Sequence, residues 1–423
     1  MVKNYDDNYA CLFQDGTKLC EEIALRDDNT VRQKFSVKDI SFWAGRTNDD
    51  GTVTVYRQEG LKLLTKNIKK QHADEATLHT GNVFLNEFNG SGLFLGYQGK
   101  TRMEFIPISA ACKLSIANRG KISFSGELND GNFSIHSEDV KKMIFDSDTD
   151  KVPAPIDIRL GLAKHIEDSI KGCSRSVQVI IVYGKIIGIM SNRFCPIPQK
   201  ELTDMVSRVL KTRYPKSYIS GGSITNKTTE VYFDLAHVVK VNNSDFDILM
   251  TLQNSDNGYS AIRLIHECRP VGKNRVYPFY DDDWSSDHIG VTMQDVENGA
   301  DTMFLKLRNN VVLLAEAEAR ILKHPYIYAD KVIDQLNNMA RRKGGSKITA
   351  NMKKDVLNTI DTFTSQGIQT QFTVMEVADA IISSIPTDYA KTSKDALMKN
   401  VMRIIHIKHE ENDKIKLPEN NHE

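Results

Sequence analysis

An α+β protein is the fold class this sequence predicts: a curved antiparallel sheet with helices on one face, followed by a C-terminal all-helical region. Three observations point there. Between residues 177 and 267, β-forming runs come in pairs separated by turn residues. One amphipathic stretch interrupts them, with Leu202, Met205, Val206, Val209 and Leu210 at i, i+3, i+4, i+7 and i+8 spacing. From His324 onward the apolar spacing is helical throughout.

Composition bounds the rest. The chain has 423 residues, 55 basic and 55 acidic, so its formal charge is zero. Apolar residues make up 40% and charged residues 26%, which excludes wholesale disorder. Zero net charge excludes a uniformly basic surface but permits a local patch. The length predicts two or three domains. Cys11, Cys20, Cys112, Cys173, Cys195 and Cys268 form no CxxC and no zinc spacing. They are expected to be thiols in a reducing compartment. The opening MVKNYDDNYACLFQDG has no apolar core and is not expected to be a secretory signal. The most apolar run, Val177 to Met190, is broken by Gln178 and Gly184-Lys185. A bilayer span needs about 20 apolar residues, so no membrane partner is expected. The expected location is cytoplasmic, the host cytoplasm if the protein is viral.

Residues 1–150 read as an irregular N-terminal α+β region of unassigned role. Ser36-Val-Lys-Asp39 is expected to cap a short helix holding Phe42 and Trp43. Thr52 to Tyr56 has strand composition, and Gly60 to Lys70 reads as a basic helix. Lys121 to Leu128 and Asn132 to His136 flank Asn129-Asp-Gly131, a hairpin signal. The acidic, proline-bearing segment 146–155 is the expected linker.

A core α+β domain is expected over residues 156–325. It opens with a helix at 156–172. A hairpin follows, Val177 to Tyr183 with Ile186 to Met190, and then the amphipathic helix from Gln199 to Tyr214. Pro215 stops that helix. Strands are expected at 217–224, 229–235, 246–253 and 259–267. An acidic loop, Asp281 to Asp287, leads into a long helix over about 293–323. The helical region covers 326–410. It has segments at 331–342 and 349–366, a capping box at Thr373-Val-Met-Glu376, and a last helix capped by Ser393. Residues 411–423 are expected to be a disordered tail.

No P-loop, dinucleotide fingerprint, serine elbow or kinase signature occurs. No catalytic residue, metal ligand or cofactor is therefore assigned. The acids of residues 281–287, beside His288, have the oxygen chemistry of a Mg²⁺ site. Four acids in one short loop read more simply as a solvated turn. The charge asymmetry at 331–354 is more informative. Lys331, Arg341, Arg342, Lys343, Lys347, Lys353 and Lys354 face a single acid, Asp334. Glycines between two helices let a backbone approach phosphate while Arg341, Arg342, Lys343 and Lys347 neutralise it. Arg263, Arg269 and Lys273 are interleaved with Tyr259 and Tyr277. Cations that track the backbone, with rings that stack on bases, suit single-stranded nucleic acid. The two groups are expected to converge into one positive furrow.

The run Ile186 to Pro198 (IIGIMSNRFCPIP), the turn and strand Asn254 to Arg263 (NSDNGYSAIR), and Asp287-His-Ile-Gly290 before a long helix carry a resemblance. Together they resemble the phage- and plasmid-encoded family catalogued as domain of unknown function 932, over about residues 177–325. The sequence departs from that family's pattern at Cys268-Arg-Pro270. The order strand, strand, helix, strands is also similar to that of single-strand annealing proteins of phage recombination. The resemblance, with the two basic groups, implies a phage- or mobile-element-type protein that binds nucleic acid without catalysis, as an oligomeric annealing or recombination factor. A structural or interaction protein, such as an assembly factor or an inhibitor of host defence, is the alternative. A metal-dependent nuclease is the third.

Overall fold

A computed structural model describes residues 10–48, 52–59, 62–68, 93–108, 112, 124–128, 131–135, 156–173, 175–225, 227–241, 244–255, 260–272, 276–343, 347–369, 371–386 and 391–407. The fold is α+β, as expected. One six-stranded sheet runs in the order β1 (Ala10–Phe13), β12 (Tyr218–Thr225), β13 (Thr229–Val241), β14 (Ser244–Asn254), β15 (Ile262–Pro270) and β16 (Tyr277–Ser286). All its neighbours are antiparallel. An eight-stranded sheet runs β2 (Thr30–Ser36), β10 (Ser176–Val182), β11 (Lys185–Ser191), β7 (Met103–Ile108), β6 (Leu93–Gln98), β3 (Ile40–Thr47), β4 (Val53–Glu59) and β5 (Lys62–Ile68). Its single parallel pair is β7 with β11. Two small pairs complete the strands: β8 (Phe124–Leu128) with β9 (Gly131–Ile135), and β17 (Ile321–Leu322) with β18 (Phe372–Thr373).

Among the described residues the helices are α1 (Gly16–Asp28), α2 (Ile156–Cys173), α3 (Gln199–Arg213), α4 (Met293–Ala319), α5 (Pro325–Lys343), α6 (Ala350–Ser365), α7 (Val374–Ser383) and α8 (Lys391–Ile407). Among the described residues no helix is long and apolar enough to cross a membrane.

The six-stranded sheet has one apolar face. Along β15, Ile262, Leu264, His266 and Cys268 are buried, while Arg263, Ile265, Glu267 and Arg269 between them are half-exposed. That alternation is the period of a strand with one covered face. Helices α1, α3, α4 and α8 pack on the apolar face. Trp284 of β16 sits so close to α4 that a Cβ on Gly299 would come within 2.4 Å of its ring. The core under these helices continues into α5, α6 and α7. A second core lies between α2 and the eight-stranded sheet, and a third, around Trp43, Phe94 and Phe105, lies on that sheet's other face.

Several expectations need correction. Phe42 and Trp43 lie in strand β3, not a helix, with Phe42 in one core and Trp43 in the other. Ser36 makes a turn instead of a cap: its carbonyl accepts the Asp39 N–H at 3.0 Å. The basic stretch 60–70 contains edge strand β5, because pairing with β4 imposes a period of two on its lysines. The expected acidic loop is part of strand β16, held opposite β15. The last helix begins at Lys391, before Ser393. The expected linker 146–155 and the tail 411–423 lie outside the described residues.

The boundary expected near residue 150 does not separate the two sheets. Strand β1 belongs to the six-stranded sheet through β12, and the β10–β11 hairpin joins β2 and β7 in the other. That hairpin turns through Tyr183 and Gly184, both with positive φ (48° and 78°), the backbone of a type I′ turn.

Candidate nucleic-acid interface

The clearest basic site is the turn between α5 and α6. Helix α5 ends on Arg341, Arg342 and Lys343, where cations complement the negative end of the helix dipole. Arg341 is exposed and has no carboxylate partner among the described residues. Lys347, beyond the turn, is exposed, as is Lys354 on α6. Arg342 and Lys343 belong to the helix, but their side chains lie outside the described residues.

The base of the turn is fixed. The Asn337 amide donates to the Ile348 carbonyl at 3.1 Å, and its oxygen accepts the Ile348 N–H at 2.9 Å. Ile348 is buried. The Thr349 hydroxyl then caps α6 by accepting the Met352 N–H at 3.3 Å. The strip is less positive than its sequence implies. Lys353 is gripped by Asp330 at 2.6 Å and Asp334 at 2.8 Å. Its hydrogen bonds to Asp330 and Asp334 hold its pKa above the usual lysine value. Asp330 stands one position outside the stretch in which cations outnumbered acids.

The second basic group fares differently. Arg263 and Arg269 project from the sheet face opposite the helices, whereas Arg341 lies on the helical side. The two groups are on opposite sides of the six-stranded sheet, so the expected single furrow does not form. Arg269 is also neutralised. Its Nε and Nη2 donate to Asp247 Oδ2 at 3.1 and 2.8 Å, and Asp234 lies 3.9 Å away. Arg263 is half-buried, opposite Gln253 and Ser285. Tyr277 is corrected outright as a stacking residue. It is 2% exposed, and its hydroxyl donates to Asp379 at 2.7 Å, so neither ring face can reach a base. Tyr259 and Lys273 lie outside the described residues.

The helix-free sheet face is a polar network. Glu230 accepts from Ser223 at 3.1 Å, Tyr232 at 2.9 Å and Gln253 at 3.1 Å, and Thr251 donates to Glu267 at 2.6 Å. These carboxylates repel phosphate. On the other face, His288 is 4% exposed and stacks on Phe194 with ring centroids 4.7 Å apart. Its Nδ1 lies 3.3 Å from the Cys195 carbonyl. This is a packing role. Among the described residues, no three His, Cys, Asp or Glu side chains are grouped to hold a metal. The side chains of Asp281, Asp282 and Asp283 are outside that description.

A buried polar seam was not singled out in the sequence. Arg26 Nη1 donates to Thr229 Oγ1 at 2.8 Å, Asn254 donates to Gln199 at 2.9 Å, and Gln199 to Thr203 at 3.2 Å. It joins α1, α3, β13 and β14. Gln199, the first residue of α3, and Asn254, the last of β14, meet here. Asn254, Gln199 and Thr203 pair with one another, which is how buried polar groups are kept inside a core. Alongside, a cleft of about 520 Å³ is lined by Asp27, Pro198, Lys200, Glu201, Asp204 and Arg208. Its charges are mixed, and Lys200 is already bound to Asp204 at 2.9 Å.

No protein-family model matches the chain, and neither the curated proteins nor the solved structures give a match. Site geometry alone therefore ranks the functional readings.

Proposed function

We propose that this is a phage- or mobile-element-type protein of the cytoplasm that binds single-stranded nucleic acid through the α5–α6 turn, without catalysis. The observation that carries the reading is Arg341, exposed and without a carboxylate partner among the described residues, at the end of α5, where Asn337 is tied to Ile348. A phosphate chain gains most from cations that have no carboxylate of their own and whose backbone is held in place. Exposed Lys354 extends the strip, and Lys353, held by Asp330 and Asp334, does not. Oligomerisation into a continuous groove, as for annealing or recombination factors, belongs to the same proposal.

The test is titration of a fluorescent single-stranded oligonucleotide at several salt concentrations. Log K should fall linearly with log salt, and Arg341→Glu should weaken binding and flatten the slope by about one contact. No binding at about 50 mM salt with micromolar protein sinks the reading.

One observation favours a second reading, a structural or interaction protein such as an assembly factor or an inhibitor of host defence. The helix-free sheet face pairs its own charges, Arg269 with Asp247 among them, and offers hydroxyls and amides in place of open cations. Its mark would be a stoichiometric protein complex in the absence of oligonucleotide affinity.

A further inference from the structure

Ala236 has a left-handed backbone, φ 47°, within strand β13. A non-glycine residue there costs roughly 1–2 kcal/mol and persists only where its surroundings impose it. The register shows the imposition. Asp234 pairs with Leu249 and Val238 with Asp247, so three residues of β13 bulge against one of β14. Leu235 is anchored in the core. The Ala236 N–H donates to Asp234 Oδ1 at 2.8 Å, and Asp234 Oδ2 accepts the Tyr218 hydroxyl at 3.3 Å. The result is that His237 and Val238 are thrust into solvent, with Val238 47% exposed. Bulges of this kind re-aim side chains.

What His237 meets is the ring of Tyr214, with centroids 5.3 Å apart and planes tilted by 46°. Tyr214 ends α3, its N–H bonded to Leu210 at 2.7 Å, and it packs half-buried against the core. Its ring is therefore fixed, and the His237 ring is the accessible one. Lys211 lies one turn before Tyr214 on the helix and Lys216 two residues after it. Both are exposed, and neither has a carboxylate partner among the described residues. Nearby Arg213 is tied to Asp301 at 3.0 Å, which leaves the two lysines as the open charges.

We propose that the His237–Tyr214 ring pair is the base-stacking platform of a single-stranded nucleic-acid site, with Lys211 and Lys216 neutralising the flanking phosphates. This rests on the nucleic-acid reading and supplies the stacking role that Tyr277 does not fill. An exposed ring backed by a second ring, with exposed cations three residues before and two residues after that second ring in the chain, suits an unpaired base and its backbone.

The experiment titrates a fluorescein-labelled oligothymidylate, and an abasic strand of equal length, into the full chain and its variants. His237→Ala is expected to weaken oligothymidylate binding by roughly 5- to 100-fold. It should also abolish the preference over the abasic strand, while His237→Phe retains both. The double variant Lys211→Glu, Lys216→Glu should weaken both strands alike. If the native chain binds and His237→Ala binds equally well, or if His237→Phe fails as His237→Ala does, the platform is overturned. The α5–α6 reading then stands or falls by Arg341→Glu. If the native chain binds neither strand, the nucleic-acid reading fails and this inference with it.

Discussion

Asn337 holds Ile348 through both of its backbone polar groups, accepting from its N–H and donating to its carbonyl, and so fixes where the basic α5–α6 turn begins and ends. Because Ile348 is buried, neither group can turn to water instead. Asn337→Ala should lower stability by about 1–3 kcal/mol, read from the urea midpoint. Asn337→Asp, which turns a carboxylate oxygen toward the Ile348 carbonyl, should be no milder than Asn337→Ala. A midpoint equal to the native one would mean that the turn is held elsewhere.

Tyr277 and Asp379 join strand β16 to helix α7 by one 2.7 Å bond. Tyr277→Phe removes the donor and keeps the buried ring. A charge-assisted bond of this kind is worth about 1.5–3 kcal/mol. Stability should fall by that order while oligonucleotide affinity stays native. A loss of affinity at unchanged stability would return Tyr277 to the binding surface.

Asp27 of α1 accepts the Lys200 N–H at 2.7 Å and so caps α3 from another helix. The residue at the cap position itself, Pro198, has no side chain able to do this. Asp27→Ala should cost about 0.5–2 kcal/mol, and Asp27→Asn much less. Equal losses in the two variants would show that charge, not the hydrogen bond, matters.

Glu167 of α2 sits among Lys171, Arg57 and the Phe42 N–H, with Phe42 at 3.1 Å and Arg57 at 2.9 Å. Burial alone would raise its carboxyl pKa. The Lys171, Phe42 and Arg57 interactions outweigh burial and hold it below the usual value. A carboxylate depressed on folding stabilises fully above its unfolded pKa, and that contribution drains away as pH falls through the folded one. Native stability should therefore drop on acidification from the ordinary carboxylate range downward, and Glu167→Gln should flatten that drop. Parallel acid profiles for the two proteins would remove Glu167 as a cause.

Local signals in the chain were legible where a single segment decides its own structure. The stripe Leu202, Met205, Val206 and Leu210 is the buried face of α3. Thr373 and Glu376 form the reciprocal cap that their spacing implies. Strand β5 was not legible, because its lysines suit an exposed helix and an edge strand alike until β4 lies beside it. Strand β16 was hidden for the same reason: Asp281 to Asp283 look like a turn until β15 lies beside them, with Asp283 opposite Ile265 and Trp284 opposite Leu264. The contact of the His237 and Tyr214 rings left no sequence signal. The residues are 23 positions apart, and the bulge that turns His237 outward arises from the mismatch of β13 with β14.

The sequence by itself determined the α+β class, most helices from residue 156 onward, the Thr373–Glu376 cap and the basic α5–α6 junction. Each of these rests on interactions within a few residues. Only the tertiary structure decided that β1 and the β10–β11 hairpin exchange regions, that Arg269 is spent on Asp247, and that Arg263 and Arg341 look away from each other. The physical reason is that a strand shows opposite faces at successive residues. Which charge meets water, a carboxylate or a partner is therefore set by register with distant strands, and no local pattern records it.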